Sequence, residues 1–210
     1  MNTPTRHIMK IKLLLLILLF ATPCFAGDRN HTQFGKDTST GSILAIGYAH
    51  HEIHEGNSFV AGSSGILANE ASLKISFRTP DTDKWSHFNY AAACSLDATL
   101  TFTENPTVTV NTGSALPIYN NNRNSTNTSI LLGSSTGVYV ANSLTLGATM
   151  SGGTSIKPVV HLGSGKKTGG GASSFTEAVL KQNEDYSVVL TSEAADNHCF
   201  LEIYEYEHTN

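Results

Sequence analysis

The stretch His50-His51-Glu52-Ile53-His54-Glu55-Gly56 packs five His and Glu side chains into seven residues. On a strand, His50, Glu52 and His54 share one face. On a helix, His50 and His54 stand one turn apart, and either arrangement offers a metal two nitrogens and an oxygen. The helical zinc-protease pattern His-Glu-x-x-His is not met, because counting from His51 its last position is Glu55. The remaining ligands of such a site have no assigned residue. The competing account is a short His run that is solvated or hydrogen-bonded to backbone. His50, Glu52 and His54 are therefore the metal candidates, and no metal or other cofactor is assigned.

Other chemistries lack their residues. A phosphate-binding loop needs Gly, four residues, then Gly-Lys-Ser/Thr; here Gly165-Lys166 is followed by Lys167 and the first Gly is missing. A nucleophile elbow needs Gly-x-Ser-x-Gly, and Gly62-Ser63-Ser64-Gly65 is one residue short. Paired carboxylates for glycoside hydrolysis come from separate strands. Trp85 is the single Trp, which leaves few aromatics for a sugar-stacking cleft. Glu202, Glu205 and Glu207 lie on the last expected strand, where Leu201 and Ile203 face inward and Glu202 and Tyr204 outward. This assigns the acids mainly to strand surface. No catalytic or cofactor-binding residue is assigned, and the chain is not expected to be an enzyme.

Cys94 and Cys199 each fall inside or beside an expected strand. In an exported chain they could form one disulfide across a sandwich, closing a long loop. Otherwise both are small buried hydrophobes. No zinc-type Cys/His spacing occurs.

The elements that would position these residues are strands. Leu73, Ile75 and Phe77 alternate with Ser72, Lys74, Ser76 and Arg78, the period of a half-buried strand. Ala98, Leu100 and Phe102 alternate with Thr99, Thr101 and Thr103 in the same way, and Val108 and Val110 follow a turn at Glu104-Asn105-Pro106. Further strands are expected over 86–94, 128–132, 137–140, 143–149, 158–162, 186–191 and 199–206, with one helical turn over 175–182. The fold class is all-β, an antiparallel β-sandwich or jelly roll of about ten short strands. Composition agrees: from Gly27 onward 21 Thr, 22 Ser, 15 Asn and 18 Gly make up 76 of 184 residues. Such residues favour turns and pleated strands over helices.

Only 14% of residues are charged, and 13 Lys and Arg against 17 Asp and Glu give a net charge of −4. A surface that neutralises phosphates is basic, so nucleic acid is not an expected partner. The chain is 40% hydrophobic, so it is expected to fold. Arg6, Lys10 and Lys12 precede a wholly apolar run from Leu13 to Ala21, followed by Thr22-Pro23-Cys24-Phe25-Ala26. Residues 1–26 read as a secretory signal peptide cut after Ala26, or as an apolar N-terminal arm that docks on a particle. The run is too short for the roughly 20 residues of a bilayer span. Removing it leaves ten cations against seventeen acids, a charge of −7. Residues 27–48 are expected to be a linker and 49–210 the sandwich domain.

Several segments form an ordered set. They are the run from Ala49 to Phe59, then Phe77-Arg78-Thr79-Pro80-Asp81-Thr82, then Asn122-Arg123-Asn124-Ser125. After them come Gly163-Ser164-Gly165 with Gly169-Gly170-Gly171, then Val179-Leu180-Lys181-Gln182-Asn183 before Tyr186, and the closing run from Ile203 to Asn210. In this order they resemble a family of tailed-bacteriophage virion structural proteins, from about Ala49 to the end. The resemblance implies a non-enzymatic β-sandwich displayed on the particle as a capsid decoration or tail-associated protein, located in the virion. It also implies capsid or tail proteins as partners, and no catalytic residues.

Low charge and strand edges point to self-association into a homo-oligomer such as a trimer. The alternative is an exported carbohydrate-binding or carbohydrate-active jelly roll, periplasmic or extracellular, meeting a glycan or cell-surface ligand. A virion protein assembles in the host cytoplasm and needs no secretion signal, so the N-terminal segment departs from that family: it marks a captured or fused gene whose product is exported, a phage protein sent to the host envelope, or an arm that docks on the particle.

Overall fold

Segment after segment carries apolar side chains at every second position, and each such strand has one face to hide from water. The computed structural model describes residues 35–36, 43–44, 47–131, 144–163, 171–173 and 177–209. Among these, six strands have seven residues or more: β1 (Ser58–Leu67), β2 (Ser72–Arg78), β3 (Lys84–Cys94), β4 (Ala98–Glu104), β5 (Asp185–Ser192) and β6 (Asn197–Thr209). One helix, α1 (Tyr48–Glu55), precedes them. The chain divides into two compact units, 1–48 and 49–210. In the first, Gly35–Lys36 and Ile43–Leu44 form a short antiparallel ladder.

In the second unit the pairing is that of a folded ribbon. β1 pairs with β6, β2 with β5, β3 with Gly171–Ser173 and Ala178–Val179, and β4 with Val160–Leu162, all antiparallel. The ribbon then rolls up, so that β6 also pairs with β3 and β5 also pairs with β4. Two sheets result, one built on β3-β6-β1 and the other on β4-β5-β2. From β1 to β4 successive strands alternate between the two sheets, and β5 and β6 again fall in different ones, as in a jelly roll.

The inner faces meet in an aromatic core. Phe77, Phe102 and Tyr186 from one sheet pack against Phe88 and Tyr90 from the other. Ring centroids are 5.1 Å apart for Phe77–Phe88 and Phe88–Phe102, and 5.7 Å for Tyr90–Phe102. Ile75, Leu100, Val188, Leu190, Leu201 and Ile203 fill the space around them. Each such side chain contributes about 1.5–3 kcal/mol on burial, so this interlayer holds the two sheets together.

Helix α1 ends where the sequence dictates. Gly56 has φ 76°, its N–H donates to the Ile53 carbonyl (3.1 Å), and the Asn57 N–H donates to the Glu52 carbonyl (2.8 Å). This is the glycine-terminated Schellman cap.

Several expected strands differ. Residues 128–131 form a loop, because their side chains and amides serve β6 rather than a ladder. The 143–149 strand contracts to Thr145–Leu146, paired with β2. Where a helical turn was expected over 175–182, Ala178–Val179 is a strand, because the edge of β3 at His87 and Phe88 offers it ladder partners. The expected strand at 137–140 and the N-terminal segment 1–26 lie outside the described residues.

Candidate functional site

The outward side of β1, β6 and β3 is a face of small and apolar residues. Phe200 sits between Ser64 of β1 and Ala93 of β3, and Glu202 between Gly62 and Ala91. Tyr204 sits between Val60 and Asn89. Alternation puts these side chains outside because Cys199, Leu201 and Ile203 face the core. With Ser and Ala beside Phe200 and Val and Asn beside Tyr204, the two aromatic rings stand proud of the sheet, and each is 39% exposed. Ile66 on the same face is 62% exposed, and Tyr119 and Val179 are exposed on segments paired to the sheet.

Glu202 is the carboxylate in the middle of this face. A side chain at Gly62 would put its Cβ 2.7 Å from Glu202 Cγ, so the glycine makes room for the glutamate to lie across β1. Tyr204 Oη donates to Glu202 Oε2 at 2.5 Å. That hydrogen bond, with burial and the nearby charge, pushes the Tyr204 hydroxyl up to about 12. A tyrosine held protonated against its own carboxylate is a contact group rather than a proton-transfer group.

Towards the C-terminal end of β6, the same side carries His87, Tyr206, His208 and, from the adjoining segment, Glu177. Glu177 accepts from Tyr206 Oη at 2.7 Å and lies 2.8 Å from His87 Nδ1. His87 stacks on Tyr206 with centroids 4.5 Å apart, and His208 lies 4.5 Å from His87 on the ring centroids. Burial alone would raise the Glu177 carboxyl. The hydrogen bonds from Tyr206 and His87 and the charges of His87 and His208 together outweigh it and hold the carboxyl below its usual range. The Tyr206 hydroxyl is engaged with both oxygens of Glu177. Among the described residues, no group of three His, Cys, Asp or Glu side chains is placed to hold a metal.

The candidates from α1 are separated. His50 and His54 come together on the exposed side, with Nε2 atoms 2.9 Å apart. Glu52, two residues on, turns to the opposite side of the helix, is 4% exposed and accepts from Asn57 Nδ2 at 3.0 Å. Of the three, the structure brings the two imidazoles together and leaves the carboxylate apart.

Cys94 and Cys199 are disulfide-bonded. They are direct register partners on β3 and β6, so the bridge lies within one sheet and does not cross the sandwich. The polar run 119–126 faces inward in part. Asn122 Nδ2 donates to the His54 carbonyl (3.0 Å) and Asn120 Nδ2 to the Gly56 carbonyl (2.8 Å), and nearby Asn127 Nδ2 donates to the Glu55 carbonyl (3.2 Å). These amides satisfy the orphan carbonyls at the end of α1. Of the glycine-rich segment, residues 164–170 and 174–176 lie outside the described residues.

Two further residues were assigned to strand surface and are not there. Glu205 and Glu207 are 2% and 0% exposed. The signal was available in the sequence, since they stand two and four positions beyond inward-facing Ile203.

No protein-family model, curated protein or solved structure matches the chain.

Proposed function

We propose that this chain is a non-enzymatic structural module of a phage virion, a jelly roll displayed on the particle as a capsid decoration or tail-associated protein. The observation that carries the reading is the outer face of β1-β6-β3, with Phe200, Tyr204 and Ile66 exposed among Gly, Ala and Ser. Protein contacts of this kind are made by aromatic anchors in a surround of low charge. The resemblance of the ordered segments to those of virion structural proteins supplies the setting, and repeated copies or capsid and tail proteins are the partners of that face.

The test is quantitative mass spectrometry of purified particles from the source phage or prophage. The expected result is this chain at a fixed, high copy number per particle. Its absence from particles, with recovery of a chain beginning at Gly27 outside the cell, would overturn the proposal. That outcome favours an exported glycan-binding jelly roll, for which the Phe200 and Tyr204 rings are the sugar-stacking candidates.

A further inference from the structure

The inner side of β6 reads Leu201, Ile203, Glu205, Glu207, an apolar series that ends in two buried carboxyls. Each is tied to the same piece of chain. Ser129 Oγ donates to Glu205 Oε1, and the Ile130 backbone N–H donates to Glu207 Oε1 at 2.6 Å. Leu131, wholly buried, follows directly, and its N–H donates to Ser129 Oγ at 2.8 Å. From β3, Ser86 Oγ donates to Glu205 Oε2 at 2.8 Å and Lys84 Nζ lies 3.3 Å from Glu207 Oε2. From the turn after α1, the Asn57 carbonyl accepts the Glu207 N–H at 2.9 Å, and β1 places Phe59 opposite Glu205. Among the described residues, the charged groups in contact are therefore two carboxyls and one ammonium. Two adjacent carboxylates removed from water with one counter-charge cannot both ionise without large cost.

We propose that Glu205 and Glu207 form a proton-held latch: a proton kept on Glu205 against the Glu207 carboxylate, which Lys84 balances, fastens residues 129–131 to the end of the sandwich, and loss of that proton loosens them. Burial, first, and the Glu207 charge support this by pushing Glu205 up to about 8, against the Ser129 and Ser86 hydrogen bonds, which pull it down. When the segment opens, the carboxyl returns towards its ordinary value of 4.5. The closed state thus holds a proton that the open state has lost throughout that interval. The sign follows: the latch is tightest below about pH 4.5, weakens as pH rises to about 8, and levels off above. With one proton involved, opening becomes up to about tenfold more favourable per pH unit in that window.

Amide hydrogen exchange at Ile130, corrected for intrinsic exchange, tests this between pH 5 and 8 on the full chain. Protection of the Ile130 N–H is expected to fall by about tenfold per unit; Val188 in the centre of β5 opens only with the whole fold, so its protection exceeds that of Ile130 at every pH. Glu205→Gln keeps the shape and a permanent donor, so Ile130 should remain protected with the pH dependence gone. Lys84→Met removes the counter-charge of the closed state and should extend the fall in protection to higher pH without changing where it begins. A flat Ile130 profile in the unaltered protein overturns the proposal whether or not either variant folds. So does an unchanged slope in Glu205→Gln.

Discussion

Tyr186 shows how much one hydroxyl can carry. It is 1% exposed, donates to Glu104 Oε2 at 3.1 Å and accepts from the Lys181 backbone N–H at 2.9 Å. Burial first, then the Glu104 charge and hydrogen bond, drive its ionisation above the usual tyrosine range. Tyr186→Phe keeps the ring packing on Phe77 and Phe102 and strands the Lys181 N–H. The expected loss is about 1–3 kcal/mol, the cost of an unsatisfied buried donor. An unchanged urea midpoint would show that water replaces the hydroxyl there. Gly56→Ala acts through space and backbone together: φ is 76°, and a Cβ would run into the Ser125 side chain. Loss of more than about 1 kcal/mol is expected from strain alone. Differential scanning calorimetry checks it, and a variant as stable as the parent would mean that the 120–127 loop moves aside at little cost. The helix-ending role of Gly56 is local, but the contacts of Tyr186 with Glu104 and of Gly56 with Ser125 were not legible, because those partners lie elsewhere in the chain.

The strands with strict alternation were the most legible elements, and the reason is physical. In β2 and β4 every second residue is large and apolar, so alternation alone fixes which side faces the core. β1 was invisible by the same measure, because Gly62-Ser63-Ser64-Gly65 interrupts it with residues of low strand propensity. It is a strand because β6 supplies a partner all along it, from Ser58 opposite Tyr206 to Leu67 opposite Asn197. The pairing of Cys94 with Cys199 depends on the same register, which one sequence does not reveal. Since β6 is the central strand of its sheet, this bridge ties its start to the end of β3. Reduction, or the double change Cys94→Ala with Cys199→Ala, is expected to cost about 2–4 kcal/mol. That corresponds to a fall in Tm of about 5–15 °C for a chain of this size. Equal melting with and without reductant would mean that the ladder alone supplies the constraint.

At the scale of the whole molecule, low charge and the β1-β6-β3 face point the same way, and magnitudes decide how strongly. Ile66, Phe200 and Tyr204 are partly buried already, so covering them yields less than about 1.5–3 kcal/mol each. Association costs an estimated 4–15 kcal/mol in lost motion. Three anchors therefore stand near the threshold. The proposed self-association should be weak in dilute solution and should depend on the high local concentration that a particle surface provides. Light scattering over a concentration series is expected to show a mass rising above one chain at high concentration. Phe200→Glu places a carboxylate beside Glu202 in the centre of the face. Because Phe200 points outward, this change should hold the chain monomeric throughout while leaving its melting temperature within about 2 °C, as expected of a surface change worth under about 0.5 kcal/mol. A parent protein that stays monomeric at every concentration would remove self-association from the proposed function and leave capsid or tail proteins as the partners of that face.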